Sequence, residues 1–138
     1  MVNPYKVKEL VSVMASDARK AEIEKSDMHS VVVSSAAAAN AVMMGSGYFS
    51  PLTGYMSLED ALQIAEDLHT KDGMFWPVPI TNRLESVEGI SEGDEIKLLD
   101  PNVDGNPAIA AMKVEKIEEA NDEQLKKAVD VLLGQIDN

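Results

Sequence analysis

An α+β fold with a small curled sheet or barrel is predicted by three observations. A short β-branched run is followed directly by an alanine-rich helix. A strongly amphipathic helix occupies the middle of the chain. A hairpin signal then closes the second half, so that helices interspersed with strands come first and a β-hairpin follows. The chain of 138 residues suits one domain, and 45% hydrophobic residues are enough for one core.

In chain order, residues 5–25 are charged and rich in helix formers, and predict one or two helical turns. Residues 29–33 read as a buried strand. Ser34 or Ser35 caps a helix through Ala36, Ala37, Ala38 and Ala39 to Met44, and Gly45 stops it. Residues 46–56 read as a loop with Gly47, Pro51 and Gly54. Ser57 then caps the clearest helix, whose Leu58, Ala61, Leu62, Ala65 and Leu68 fall on one face. Asp72-Gly73 is the expected end of that helix.

Residues 74–81 change to an extended pattern. Pro77 and Pro79 lie two apart, so both missing amides point the same way, as an edge strand requires. Glu92-Gly93-Asp94 turns into a strand over residues 95–99, and Asp104-Gly105 turns it back into a second strand over 108–117. Asn121 with Gln124 forms a capping box for a final helix with Leu125, Ala128, Val129 and Leu132 on its buried stripe.

Charge excludes some partners. Twelve basic residues stand against 24 acidic ones, a formal net charge of −12. Such a chain repels polyanions at long range, which argues against nucleic acid and against an anionic membrane surface. The charged N-terminus lacks a signal-peptide core and no apolar run approaches a bilayer span, so a soluble, cytoplasmic protein is expected. With no cysteine, disulfides and thiolate metal sites are ruled out.

Catalytic constellations are not evident. Gly45, Ser46 and Gly47 imitate the start of a dinucleotide loop, but Ser50-Pro51 stands where the third glycine belongs, and a helix precedes the loop in place of a strand. His29 and His69, the only histidines, lie in different elements, and His69 reads as a partner for a helix C-terminus. The acidic pairs Glu59-Asp60, Glu66-Asp67 and Glu118-Glu119 read as solvated faces. No catalytic, cofactor-binding or metal-binding residue is predicted.

The loop over residues 47–56, GYFSPLTGYM, gathers Tyr48, Phe49, Leu52, Tyr55 and Met56 where no regular structure is expected. Two readings are open for its outermost aromatics: they fold back onto the domain's own core, or they form an interface for a missing partner domain. Tyr48, Phe49, Leu52 and Tyr55, with Trp76 from the extended segment, are the candidate interdomain contacts.

These motifs carry a family likeness. NAVMMG at residues 40–45, GYFSPLTGYM at 47–56, GMFWPVPIT at 73–81 and LLDPNVDGNPAIAAMKVEKIEEA at 98–120 resemble, in order, the N-terminal domain of ATP sulfurylase (sulfate adenylyltransferase). Residues 1–28 match only loosely, as a helical lead-in. Residues 121–138 correspond to the helix by which the family connects to its catalytic domain.

The resemblance implies a PUA-like pseudo-β-barrel with flanking helices. It also implies a whole enzyme that joins ATP and sulfate into adenosine 5′-phosphosulfate and pyrophosphate. ATP and sulfate are then substrates of the whole enzyme, and no cofactor is expected here. The family's catalytic groups lie in Gln-X-Arg-Asn, His-X-X-His and Gly-Arg-Asp motifs, none of which occurs in this sequence. Neither Arg19 nor Arg83, the only arginines, precedes Asn or Asp. The chain alone is therefore expected to be inactive, with an ATP sulfurylase catalytic domain as partner in cis or in trans, and a homo-oligomer left open for the whole enzyme. A free-standing PUA-like RNA-binding or interaction module is the alternative, opposed by the charge. A small enzyme using Asn40, Thr53 and Arg83 ranks last.

Overall fold

The structure is a computed structural model that describes residues 9–119. Its elements are α1 (Asp17–Lys25), β1 (Ser30–Val32), α2 (Ser35–Gly45), α3 (Leu58–Asp67), β2 (Glu95–Leu99) and β3 (Ala108–Lys113). They fall into two compact units: residues up to Tyr55 with Asn82–Glu115, and Met56–Thr81 with the residues from Lys116 onward. The helix expected after Asn121 lies outside the described residues.

The first unit is built on a mixed sheet in the order β1-β2-β3. β1 runs parallel to β2, with Val31 opposite Leu98, and β2 is antiparallel to β3, with Ile96 opposite Met112. A register shift at Leu98/Leu99 pairs Leu98 with Ala110 but Leu99 with Ala108, so Ile109 is the extra residue of a bulge. The β3 ladder closes at Val114, whose N–H donates to Asp94 O while Gly93 N–H donates to Val114 O, both at 2.7 Å. The strand expected to reach residue 117 therefore stops early. The turn at Glu92-Gly93-Asp94 ends the β2 side of the ladder there.

Alternation along β2 divides the unit's two faces. Ile96 and Leu98 are buried, and so are Val33, Ala37, Ala38, Met44 and Val114. The alanines let the α2 backbone lie close, and α2 packs on β3. On the other side Glu95 pairs with Arg19 of α1. Lys97 Nζ donates to Ser26 O at 2.9 Å, just past the end of that helix. α1 buries no residue, so polar tethers attach it in place of an apolar face.

Each helix opens on a serine cap. Ser16, Ser34 and Ser57 accept the N–H of Arg19, Ala37 and Asp60 at 3.2, 3.1 and 3.2 Å. The ends differ from expectation. α2 runs through Gly45, and the left-handed residue beyond it is Gly47 (φ +86°), whose N–H donates to Met44 O. α3 stops at Leu68 (φ 63°), well before Asp72-Gly73. Trp76 N–H donates to Leu68 O at 2.8 Å and turns the chain back there. Gly73 (φ +85°) serves the following turn instead, donating to Thr70 O.

Two further expectations are corrected. β1 is not buried along its length, since Val32 is 52% exposed and only Val33, just past it, is deep. Residues 74–81 form no strand. They hold an isolated bridge, Phe75 to His69, and backbone bonds that include Thr70 N–H to Met74 O at 2.9 Å and Met56 N–H to Ile80 O at 2.7 Å. Prolines at 77 and 79 remove the donors a ladder would need. Trp76 and Ile80 are buried, but Val78 between them is exposed, so the segment does not alternate as a strand would.

Candidate interaction surface

The aromatic loop follows α2 directly. Tyr48 N–H donates to Met43 O, Ser50 N–H to Gly47 O and Leu52 N–H to Phe49 O, so the segment turns repeatedly on itself. The Ser50-Pro51 peptide is cis. Residues 10–13 run alongside as a strap: Val13 N–H donates to Gly45 O at 3.1 Å, Ser12 Oγ to the same oxygen at 2.8 Å, and Val11 N–H to Ser50 Oγ at 2.8 Å. The buried Ser50 hydroxyl in turn donates to Gly47 O at 2.6 Å. Sequence reasoning placed helical turns in this stretch. No hydrophobic period marks a strap that is held through backbone groups.

The five candidate contact residues fall into different settings. Tyr48 projects, 75% exposed, while Phe49 and Leu52 are half-buried. Tyr55 is half-buried, and its hydroxyl donates to Ala37 O at 2.7 Å. Loss of water around it pushes the phenol up to about 12. Trp76, in the second unit, is 9% exposed. Leu10, Val13 and Met14, in and just after the strap, are also exposed, as is Val42 of α2. Met14 Sδ lies 3.6 Å from where a Cβ on Gly45 would sit, and Leu10 Cβ lies 3.4 Å from the same point on Gly47. The strap and the end of α2 thus share an apolar surface that the loop reading alone did not include.

Arg83 lies elsewhere in the first unit, in a groove of about 450 Å³ lined by residues 31–34 and 83–86. Asn40 and Thr53 do not line it, so the three polar residues considered together in the sequence do not converge. Among the described residues no three His, Asp or Glu side chains gather as metal ligands, and no helix is long and apolar enough to cross a membrane.

In the second unit His69 sits just beyond α3, its Nδ1 2.7 Å from Asp67 O, as expected for a partner of the carbonyl end. Its ring meets Phe75 edge to face at 5.7 Å. Glu118, expected to be a solvated charge, instead accepts Leu58 N–H at 2.7 Å and pairs with Lys116 at 3.1 Å. These two donors hold its carboxyl below the usual carboxylate range, the Leu58 bond contributing most.

A three-stranded mixed sheet with three helices among the described residues is an α+β architecture. Residues 2–131 match the family described as the PUA-like domain, and the chain belongs to that family. Its relatives narrow the class. It is 48% identical over 140 residues to a sulfate adenylyltransferase of Alcanivorax borkumensis, covering 99% of this chain and 35% of that protein. It is 46% identical to the sulfate adenylyltransferase of Allochromatium vinosum, covering 83% of this chain and 29% of the relative. The chain thus spans about a third of the length of the curated relatives it matches. A solved structure, the hexameric APS kinase from Thiobacillus denitrificans, matches 87% of this chain and 24% of its own at a TM-score of 0.69. At 24% identity this likeness supports the fold alone.

Proposed function

We propose that the chain acts as the non-catalytic N-terminal domain of a sulfate adenylyltransferase, a nucleotidyltransferase of sulfur metabolism working on ATP and sulfate in the cytoplasm. One observation carries the reading: identity of 48% persists over 99% of the chain yet spans only 35% of the relative. The catalytic groups then lie in the remaining two-thirds of such a protein, and this domain supports them. Joining sulfate to the α-phosphate brings two anions together and calls for fixed cationic donors. A chain with two arginines and a net charge of −12 is suited to scaffolding that site, not to forming it.

Tyr48, Phe49 and Leu52 are the residues that dock on the catalytic part, with Tyr55 and Trp76 supporting their segments from within. An exposed tyrosine on a hydrogen-bonded loop loses little entropy on docking, which favours it as an anchor. The test is sulfate-dependent ATP–pyrophosphate exchange by the purified chain, by a separately expressed catalytic part, and by their mixture. Silence from the chain alone, with association that Tyr48→Ala weakens at least about tenfold, is expected. Exchange by the chain alone, with full-length enzyme excluded by mass spectrometry, overturns the reading. So does absence of association at about 100 μM, where a specific interface should form.

A further inference from the structure

We propose that the free edge of β1 takes up an extended peptide as a fourth strand, with a carboxylate of that peptide seated on Arg83. Among the described residues the sheet order leaves β1 with a single neighbour. His29 O accepts from Lys97 N–H at 2.9 Å and Val33 N–H donates to Leu99 O at 3.3 Å, so residues 29, 31 and 33 turn their backbone groups toward β2. Strand alternation then turns those of Ser30 and Val32 outward. Val32 is 52% exposed. An unpaired row of donors and acceptors is a template for strand addition, and proteins usually blunt it with a charge or a proline. The sequence SVV over residues 30–32 has neither.

The edge does not open onto a flat surface. It forms one wall of the groove of about 450 Å³, whose other wall is residues 83–86, a segment without regular structure. That volume lies in the ordinary range of ligand clefts, about 300–1,000 Å³. Adjacent strands lie about 4.8 Å apart, so an extended segment paired with β1 would lie in this groove. The second wall stands in the way of a second copy pairing edge to edge.

Charge selects among peptides. Arg83 is exposed and makes no ion pair among the described residues. Ser34, at the end of the groove, caps α2, whose first turn carries no acidic residue. Glu85 is the one carboxylate lining the slot. In a chain of net charge −12 this is a local seat for a carboxylate at Arg83. Backbone pairing would supply affinity and the Arg83 contact the selectivity, as in other strand additions. The inference does not depend on the catalytic partner proposed above and survives if that reading fails.

The test is amide NMR on the 138-residue chain, titrated with acetyl-Thr-Val-Glu-Val-Thr-amide, with isomers carrying the glutamate at each other position, and with a glutamine analogue of each. Shifts confined to residues 30–34 and 83–86 are expected, with at least one glutamate peptide favoured about tenfold over its glutamine analogue. Arg83→Gln should erase that preference while leaving the sheet intact. Val32→Pro, which deletes an outward N–H at an edge position that tolerates proline, should weaken every peptide. No shift with any peptide at about 5 mM overturns the proposal. Shifts elsewhere overturn it, as does a glutamate preference unchanged by Arg83→Gln. A concentration-dependent dimer dissolved by Val32→Pro also overturns it, since the occupant would then be a second copy.

Discussion

A tyrosine in a surface loop can serve the loop or a partner, and the hydroxyl decides which. Tyr55 donates to Ala37 O, a carbonyl inside α2, and ties the end of the aromatic loop to the helix that precedes it. Tyr55→Phe should cost about 1 kcal/mol at neutral pH, read from urea unfolding. Its pH dependence has a definite sign. The folded phenol is raised from the ordinary 10 to about 12, so the folded state holds the proton more tightly. The associated stability is complete below pH 10 and is lost as pH rises from 10 toward 12. Tyr55→Phe should flatten the stability curve in that window. An unchanged alkaline slope would mean that the hydroxyl is solvated. Gly47 makes a second residue-scale case. At φ +86°, with a Cβ position 3.4 Å from Leu10 Cβ and Val11 O, it permits both the turn and the close strap. Gly47→Ala should therefore cost about 1–2 kcal/mol. It should also speed hydrogen exchange at Val11 and Val13, the amides that bind the strap to the loop.

At the scale of elements, α3 shows how a helix is fixed at its start by residues near and far. Ser57 satisfies Asp60 N–H, and Glu118 satisfies Leu58 N–H from 60 positions away in sequence. A carboxylate at a helix N-terminus also opposes the positive end of the dipole. Glu118→Gln should destabilise by about 0.5–1 kcal/mol. Its wild-type contribution is present above the ordinary value of 4.5 and lost as pH falls through the lowered folded value. The variant's unfolding curve should therefore approach the wild type's in acid. A gap that stays constant with pH would assign the effect to packing. Elements of this kind also show what the sequence could convey. α3, α2 and the β2–β3 hairpin were legible because period, cap and turn residues agree within a dozen positions. The 10–13 strap and the Glu118 cap were not, because both rest on hydrogen bonds between distant segments that leave no local pattern. Residues 74–81 failed for another reason: Trp76 and Ile80 are buried but Val78 between them is exposed, and an extended sequence does not by itself supply a neighbouring strand. Of the candidate contacts, the loop was legible as an apolar cluster. Which tyrosine turned inward was not, because Tyr48 and Tyr55 differ only in what lies next to them.

For the molecule as a whole, excess negative charge is the property most open to a simple measurement. Twenty-four acidic and 12 basic residues leave a net charge of −12 on 138 residues. The ion pairs found among the described residues join side chains that are largely exposed, such as Lys71 with Glu59 at 3.5 Å and Lys20 with Asp17 at 3.8 Å. Pairs of that kind contribute roughly 0–1 kcal/mol each and weaken in salt. Repulsion among the unpaired carboxylates also weakens in salt, and it acts over longer distances because it sums over the surface. The two effects oppose each other, and the twofold excess of acids makes the second larger. Raising sodium chloride from about 10 to about 300 mM, which shortens the screening length from roughly 30 Å to under 8 Å, should therefore raise the Tm by a few degrees. Arg19 is the site where the opposite trend should be strongest, since it pairs with both Glu22 and Glu95 and holds α1 to the sheet. In Arg19→Gln the attraction is gone and the net charge is more negative, so the rise in Tm with salt should be steeper than in the wild type. A wild-type Tm that falls with added salt would show that the tethers, not the surplus charge, dominate the electrostatics of this domain.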